Sequence, residues 1–287
     1  MTDRIEVLKT YKTYVGGKFP RSESGKTYPI KDTSGNVIAN ACRCTRKDVR
    51  DAMLPARSAF DDWSNRSGYN RGQILYRIAE MLEGRKEQFI KELELGGMKS
   101  KAATEEVNLS IDRLVYYAGW TDKYPQVFGT INPVASQHFN FTAPEPTGVV
   151  AIISTDESPL LSIVSQIAPV IAGGNTCVVL ASEVNPLVVV SFGEVLNSSD
   201  VPGGVVNILT GFRDEMLDHL TKHMDLNAVF NSIYDQETRK LIDLNASISV
   251  KRVHHYPVDN WFDETHENPY LIIEFQESKT TWHPAGV

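Results

Sequence analysis

Cysteine is scarce in this chain: Cys42, Cys44 and Cys177 are all it has among 287 residues. So small and odd a number does not suggest an oxidised disulfide framework and points to reduced thiols. A basic surplus is missing as well. Lys and Arg number 29 against 36 Asp and Glu, a net charge of -7, so neither nucleic acid nor an anionic membrane surface is an expected partner. No apolar run approaches the roughly 20 residues that span a bilayer, and residues 1–13 carry charges throughout instead of a signal-peptide core. A cytoplasmic protein is the expectation. Internal repeats, low-complexity tracts and long linkers are absent too, which leaves one α/β domain with appendages.

What is present is periodicity. Residues 14–44 place Gly16, Gly17, Gly25 and Gly35 between short alternating stretches such as Tyr28-Pro29-Ile30 and Val37-Ile38-Ala39, a hairpin-like opening. Thr45 then starts a helix with Asp48 as capping-box partner, and Val49, Ala52, Met53, Ala56, Phe60 and Trp63 form its apolar stripe. Two more amphipathic helices follow, one from Ile74 to Leu93 and one from Val107 to Ala118. From Gly148 onward, five short apolar runs alternate with helical segments: Val149–Ile153, Cys177–Leu180, Val205–Leu209, Ala228–Phe230 and Ile248–Val253. The intervening helices are predicted near Pro159–Ile171, Pro186–Leu196, Asp214–His223 and Gln236–Asp243. This succession predicts a Rossmann-like parallel sheet covered on both faces. Val258–Pro269 is polar and predicted to be an exposed connection, while Leu271, Ile273 and Phe275 alternate with Glu274 and Gln276 as in a strand outside the main sheet.

Several passages resemble the aldehyde dehydrogenase superfamily. They are Tyr14-Val15-Gly16-Gly17-Lys18, Ala59-Phe60-Asp61-Asp62-Trp63, Tyr116-Tyr117-Ala118-Gly119-Trp120, Glu145-Pro146-Thr147-Gly148-Val149-Val150, the run Ala172-Gly173-Gly174-Asn175-Thr176, and Pro202-Gly203-Gly204-Val205 continuing to Thr210-Gly211. The match covers residues 14–245 and resumes at Tyr270–Trp282. The resemblance implies an NAD-binding-type domain over residues 1–127 and 143–257. It also implies a small β oligomerisation arm over 128–142 and 265–287, with the catalytic domain that normally lies between absent.

The chemistry of that family needs a cysteine nucleophile, donors for its oxyanion, a carboxylate base and a dinucleotide. Cys177 lies inside an apolar strand run with nothing beside it to lower its pKa. Cys42 and Cys44 flank Arg43 and are predicted on a surface strand. The resemblance places Glu157 where the family has an asparagine that stabilises the oxyanion, and a carboxylate there repels one. Asp156 and Glu157 follow Ile153 at the carboxyl end of a strand, where a dinucleotide would bring its own negative charge. Leu180 stands where the family's ribose-binding lysine would be, with Glu183 kept three residues on, and Gly211 closes the Thr210-Gly211 turn. Phe230–Asp235 contains no glycine for close approach to a pyrophosphate. Lys251–His255 offers no match to the deacylating glutamate. His254, His255, Asp259 and His266 are ligand types but fit no metal motif, so a polar loop is the preferred reading and no metal is expected.

Catalytic residues are therefore expected to be none, and Ile153, Glu157, Leu180, Glu183 and Gly211 are read as a vestigial cofactor site. No cofactor is expected unless that site still binds NAD or NADP. The preferred expectation is a non-catalytic structural or regulatory subunit, in a homo-oligomer or beside a full-length aldehyde dehydrogenase. The alternatives are a degenerate nucleotide-binding module and a diverged NAD(P)-dependent aldehyde oxidoreductase.

Overall fold

The computed structural model describes residues 7–285; residues 1–6 and 286–287, which belong to the expected ranges above, lie outside the described residues. The chain opens with a small mixed sheet of β1 (Thr10–Tyr11), β2 (Thr27–Lys31) and β3 (Val37–Cys42), in the order β1-β3-β2. The expected hairpin is β2–β3. Helix α1 (Arg46–Ser64) follows from the predicted Thr45 start, where the Asp48 carboxylate accepts the Thr45 N–H at 2.8 Å. Asp48 is buried because it also accepts from the Ser22 hydroxyl at 3.0 Å and the Glu23 N–H at 2.8 Å, so the cap ties the opening segment to the helix.

The stripe predicted as one helix from Ile74 to Leu93 is two, α2 (Gly68–Glu83) and α3 (Lys86–Leu95). Gly84 closes α2, and a new helix begins after Arg85 with Phe89, Ile90 and Leu93 turned to the same core. Helix α4 (Ser100–Ala118) extends beyond the predicted stripe at its start, and the short α5 (Tyr124–Phe128) leads to β4 (Thr130–Asn132) and β5 (His138–Pro146).

The main sheet is built from β6 (Val149–Ile153), α6 (Pro159–Ala172), β7 (Thr176–Leu180), α7 (Leu187–Asn197), β8 (Val206–Leu209), α8 (Arg213–Lys222), β9 (Ala228–Asn231), α9 (Gln236–Ser247) and β10 (Arg252–His255). Its five strands run parallel in the order β10-β9-β6-β7-β8. Alternation along β6 divides the core. Val150 and Ile152 pack with α2, α4, α6 and α7, whereas Val149, Ala151 and Ile153 pack with α1, α8 and α9. The result is the covered parallel sheet that the unbroken apolar runs predict.

Three local expectations change. Helix α9 continues to Ser247, so the last strand is Arg252–His255 and not Ile248–Val253; Ile248 and Val250 are exposed. Tyr270–Ile273 forms one helical turn, α10, and the strand after it, β11, runs from Gln276 to Pro284. Leu271, Ile272 and Phe275 are the buried residues there, a spacing that suits a helical turn, and a segment this short carries both periods at once. The connection before it is not wholly exposed, since Trp261 is buried. Strand β11 does pair outside the main sheet, antiparallel to β5 from Gln276 opposite Pro146 to Pro284 opposite His138, in a three-stranded sheet ordered β11-β5-β4. Among the described residues no helix is long and apolar enough to cross a membrane.

Candidate cofactor crevice

Strand order fixes where a ligand would sit. The chain passes from β6 to β7 and β8 on one side, then returns to β9 on the other, so the carboxyl ends of β6 and β9 form a topological switch point. A cleft of about 450 Å³ opens there, lined by Thr155, Asp156, Glu157, Ser232, Tyr234 and Asp259 among others. Of the five expected site residues only Glu157 lines this cleft; Ile153 and Leu180 end neighbouring paired strands and are fully buried.

The loop after β6 is tight. The Ser154 N–H donates to the Leu180 carbonyl at 3.2 Å, the Thr155 hydroxyl donates to the Glu157 carbonyl at 2.9 Å, and Ser158 takes a left-handed φ of 46° before α6 begins. The Glu157 side chain is exposed and has no hydrogen-bond or ion-pair partner among the described residues. Asp156 is different. Its carboxylate receives the Arg213 guanidinium at 2.6 and 3.0 Å, the Ser182 hydroxyl at 2.8 Å and the Glu183 N–H at 3.0 Å. Burial works to raise its pKa, but the Arg213 hydrogen bonds and charge, with Ser182 and the Glu183 N–H, hold it below the ordinary value. Glu183 accepts the Arg213 backbone N–H at 2.7 Å, capping α8, and lies 3.7 Å from the guanidinium.

Arg213 thus answers part of the acidic charge that the sequence places at this strand end, pairing with Asp156 and leaving Glu157 without a partner among the described residues. It bridges the loops after β6 and β7, with its side chain 16% exposed. Sequence reasoning missed it because the helix was expected to start at Asp214, which left Arg213 in the preceding loop. The available signal was a cation at a helix N-terminus, where the helix dipole disfavours it unless carboxylates lie close by.

Gly211 answers a backbone need. Its φ is +132°, and a Cβ placed there would lie 2.9 Å from the Cys44 nitrogen, whose N–H donates to the Thr210 carbonyl at 2.9 Å. The cysteines correct a second expectation: Cys42 and Cys44 are not on a solvent-facing strand but buried among Val49, Ala52 and Met53 of α1 and Leu180 and Leu209 of the main sheet, with the Thr210 hydroxyl donating to the Cys42 carbonyl at 2.7 Å. Arg43 points away from them, paired with Glu215 and set 5.0 Å over the Phe212 ring. Cys177 is fully buried in β7, and burial pushes the thiols of Cys44 and Cys177 well above their ordinary pKa. The turn after β9 is closed by side chains where a glycine turn would leave room: Ser232 donates to the Ile153 carbonyl at 3.0 Å, and Asn231 accepts the Ile233 N–H at 3.1 Å.

The histidines scatter. His254 faces Glu274 at 3.2 Å, His255 faces Asp243 at 2.8 Å, and His266 faces the Tyr256 hydroxyl at 2.8 Å. Burial lowers the pKa of His254 and of His266. Among the described residues no three His, Cys, Asp or Glu side chains gather as a metal site.

The sequence profile of the aldehyde dehydrogenase family matches residues 19–254. The chain belongs to the aldehyde dehydrogenase family. It is 32% identical over 232 residues to the mouse cytosolic 10-formyltetrahydrofolate dehydrogenase, covering 79% of this chain and 26% of that protein. Its fold superposes on the NAD+ complex of aldehyde dehydrogenase from Bacillus cereus with a TM-score of 0.80 at 27% identity, over 85% of this chain and 50% of that one. HpcC from Thermus thermophilus gives a TM-score of 0.81 at 28% identity, over 86% and 48%. This aldehyde dehydrogenase family chain therefore spans about a quarter of the first of these relatives and about half of the two solved structures. Strand β10, where the profile match ends, is followed by residues 256–275 and then directly by β11.

Proposed function

We propose that this chain is a non-catalytic aldehyde dehydrogenase-type subunit that contributes to an oligomer and performs no aldehyde oxidation itself. The observation that carries this is the burial of every cysteine: Cys42, Cys44 and Cys177 are enclosed, and none lies in the crevice where a thiolate would meet an aldehyde. The crevice residues do not fit a dinucleotide either. Leu180 supplies no cation or donor, and Glu183 already accepts from Arg213. Glu157 brings like charge, and the side-chain-closed turn after β9 denies close backbone approach. The Bacillus cereus relative was solved with NAD+.

Assembly is supported by the arm. Strand β11 has an open edge along nine residues, and Ile131, Phe139 and Trp282 of the same sheet are 74%, 48% and 57% exposed. An uncovered edge with large apolar side chains favours strand addition by a second chain. That chain is either another copy or a full-length aldehyde dehydrogenase, and the soluble compartment expected from the sequence suits both. The test is light scattering coupled to gel filtration, for the chain alone and co-expressed with a full-length aldehyde dehydrogenase, alongside NAD(P)-dependent turnover. A stable, inactive assembly is expected. A monomer with no partner would remove the subunit reading, and turnover by the isolated chain would overturn the absence of catalysis.

A further inference from the structure

The segment between β10 and β11 is fastened to the domain by an unusual group. Arg113 on α4 is 1% exposed, and among the described residues it forms no salt bridge, although Glu267 and Asp263 stand near enough for their charge to favour the cation. Its guanidinium donates instead to the Trp261 carbonyl, to the Asp263 carbonyl at 3.1 Å and to the Ser165 hydroxyl on α6. One helical turn on, the Tyr117 hydroxyl lies 3.2 Å from the Asn268 carbonyl and 3.4 Å from that of His266. A guanidinium has five donors in one plane and no acceptor. Arg113 is thus suited to gather carbonyls from an irregular segment that has no ladder of its own.

The segment is built to be gathered. Trp261 is 2% exposed and packs against Tyr256 and His266, with ring centroids 6.3 and 5.7 Å away. Asp263 caps the single turn Glu264–His266 by accepting the Thr265 N–H at 2.8 Å. Beyond it the chain stays attached. Arg252 on β10 reaches Glu277 at 2.9 Å, the Asn175 amide donates to the Phe275 carbonyl at 3.0 Å, and Gln276 donates to the Gly173 carbonyl at 3.1 Å.

We propose that residues 256–269 are a built-in strap, docked on α4 by Arg113 and Tyr117, which covers the Arg113 side of α4 in cis. The strap lets β10 pass to β11 without a further domain between them and holds the base of the arm against the main domain. The enclosed charge on α4 needs acceptors, because alone it would be costly to enclose, and the strap supplies the buried Trp261 carbonyl and the partly buried Asp263 carbonyl. The inference rests on family membership and the fold, not on the absence of catalysis, so turnover and strap docking fail independently.

The experiment is amide hydrogen exchange on the full chain, comparing wild type with Arg113→Met, which keeps side-chain bulk without donors. Loss of two charge-assisted hydrogen bonds predicts exchange about 100-fold faster across 256–269, with the amides of β6 and β7 unchanged. If Arg113→Met does not fold, Tyr117→Phe is read instead, with about 10-fold faster exchange expected over 266–269. Unchanged exchange in the strap of a folded variant would overturn the proposal, as would uniform acceleration across the whole domain.

Discussion

Glu106 offers a sharp test of how this core is held together. It is fully buried on α4, and its carboxylate accepts the backbone N–H groups of Leu160 and Leu161 at 2.8 and 3.1 Å, at the first turn of α6. Burial raises its pKa from the ordinary 4.5 to about 7, and the two backbone hydrogen bonds oppose the rise without cancelling it. That difference corresponds to about 3 kcal/mol between the protonation states. The sign follows from proton linkage: the folded state holds the proton more tightly than the unfolded chain. The contribution is therefore fully present below about pH 4.5 and is lost as the pH rises to about 7. Glu106→Gln keeps an oxygen for both N–H groups and removes the titration. Its buried amide adds an offset in stability, but an offset that does not depend on pH. Urea unfolding of both proteins at half-unit steps from pH 4.5 to 8 should show wild type losing about 3 kcal/mol relative to Glu106→Gln across that window. Parallel curves would refute the reasoning and mean that the dipole and hydrogen bonds of α6 fully offset the burial of the charge.

Other expectations follow from the same contacts. Arg213→Met should destabilise the chain by about 1–2 kcal/mol in thermal melts, less than for a fully buried pair because Asp156 keeps contact with solvent. The wild-type advantage should be present at neutral pH and disappear in acid, as the pH falls through the lowered Asp156 pKa. Thiol labelling of the native protein with a small disulfide reagent should be slow at all three cysteines and complete only after denaturation, and fast labelling of even one would contradict their burial. Gly211→Ala should cost about 1–3 kcal/mol in denaturant unfolding, since its φ of +132° and the nearby Cys44 backbone both oppose a side chain; a neutral substitution would show that the turn relaxes.

The misreadings share a physical cause. Leu271, Ile273 and Phe275 alternate as a strand should, but over so few residues a helical turn buries nearly the same set, and only the place of Phe275 in the core decides between them. The charged side of α4 reads as a solvated face, yet the first turn of α6 and the strap cover Glu106 and Arg113. Cys42 and Cys44 sit in a segment that reads as a surface strand until α1 and the ends of β7 and β8 pack with it.

By itself the sequence determined the alternation of apolar runs and helical stripes. Each parallel strand buried on both faces must be continuously apolar, and the capping box at Thr45 and the glycines at the turns are local requirements. The quoted motifs were enough to reach the aldehyde dehydrogenase family. Only tertiary structure decided that Arg213 faces Asp156 and Glu183 and that Arg113 is answered by carbonyls some 150 positions away. Those pairings join segments far apart along the chain, so no local period or propensity encodes them; they are set by packing, which brings a charge to its partner only after the sheet and helices are in place.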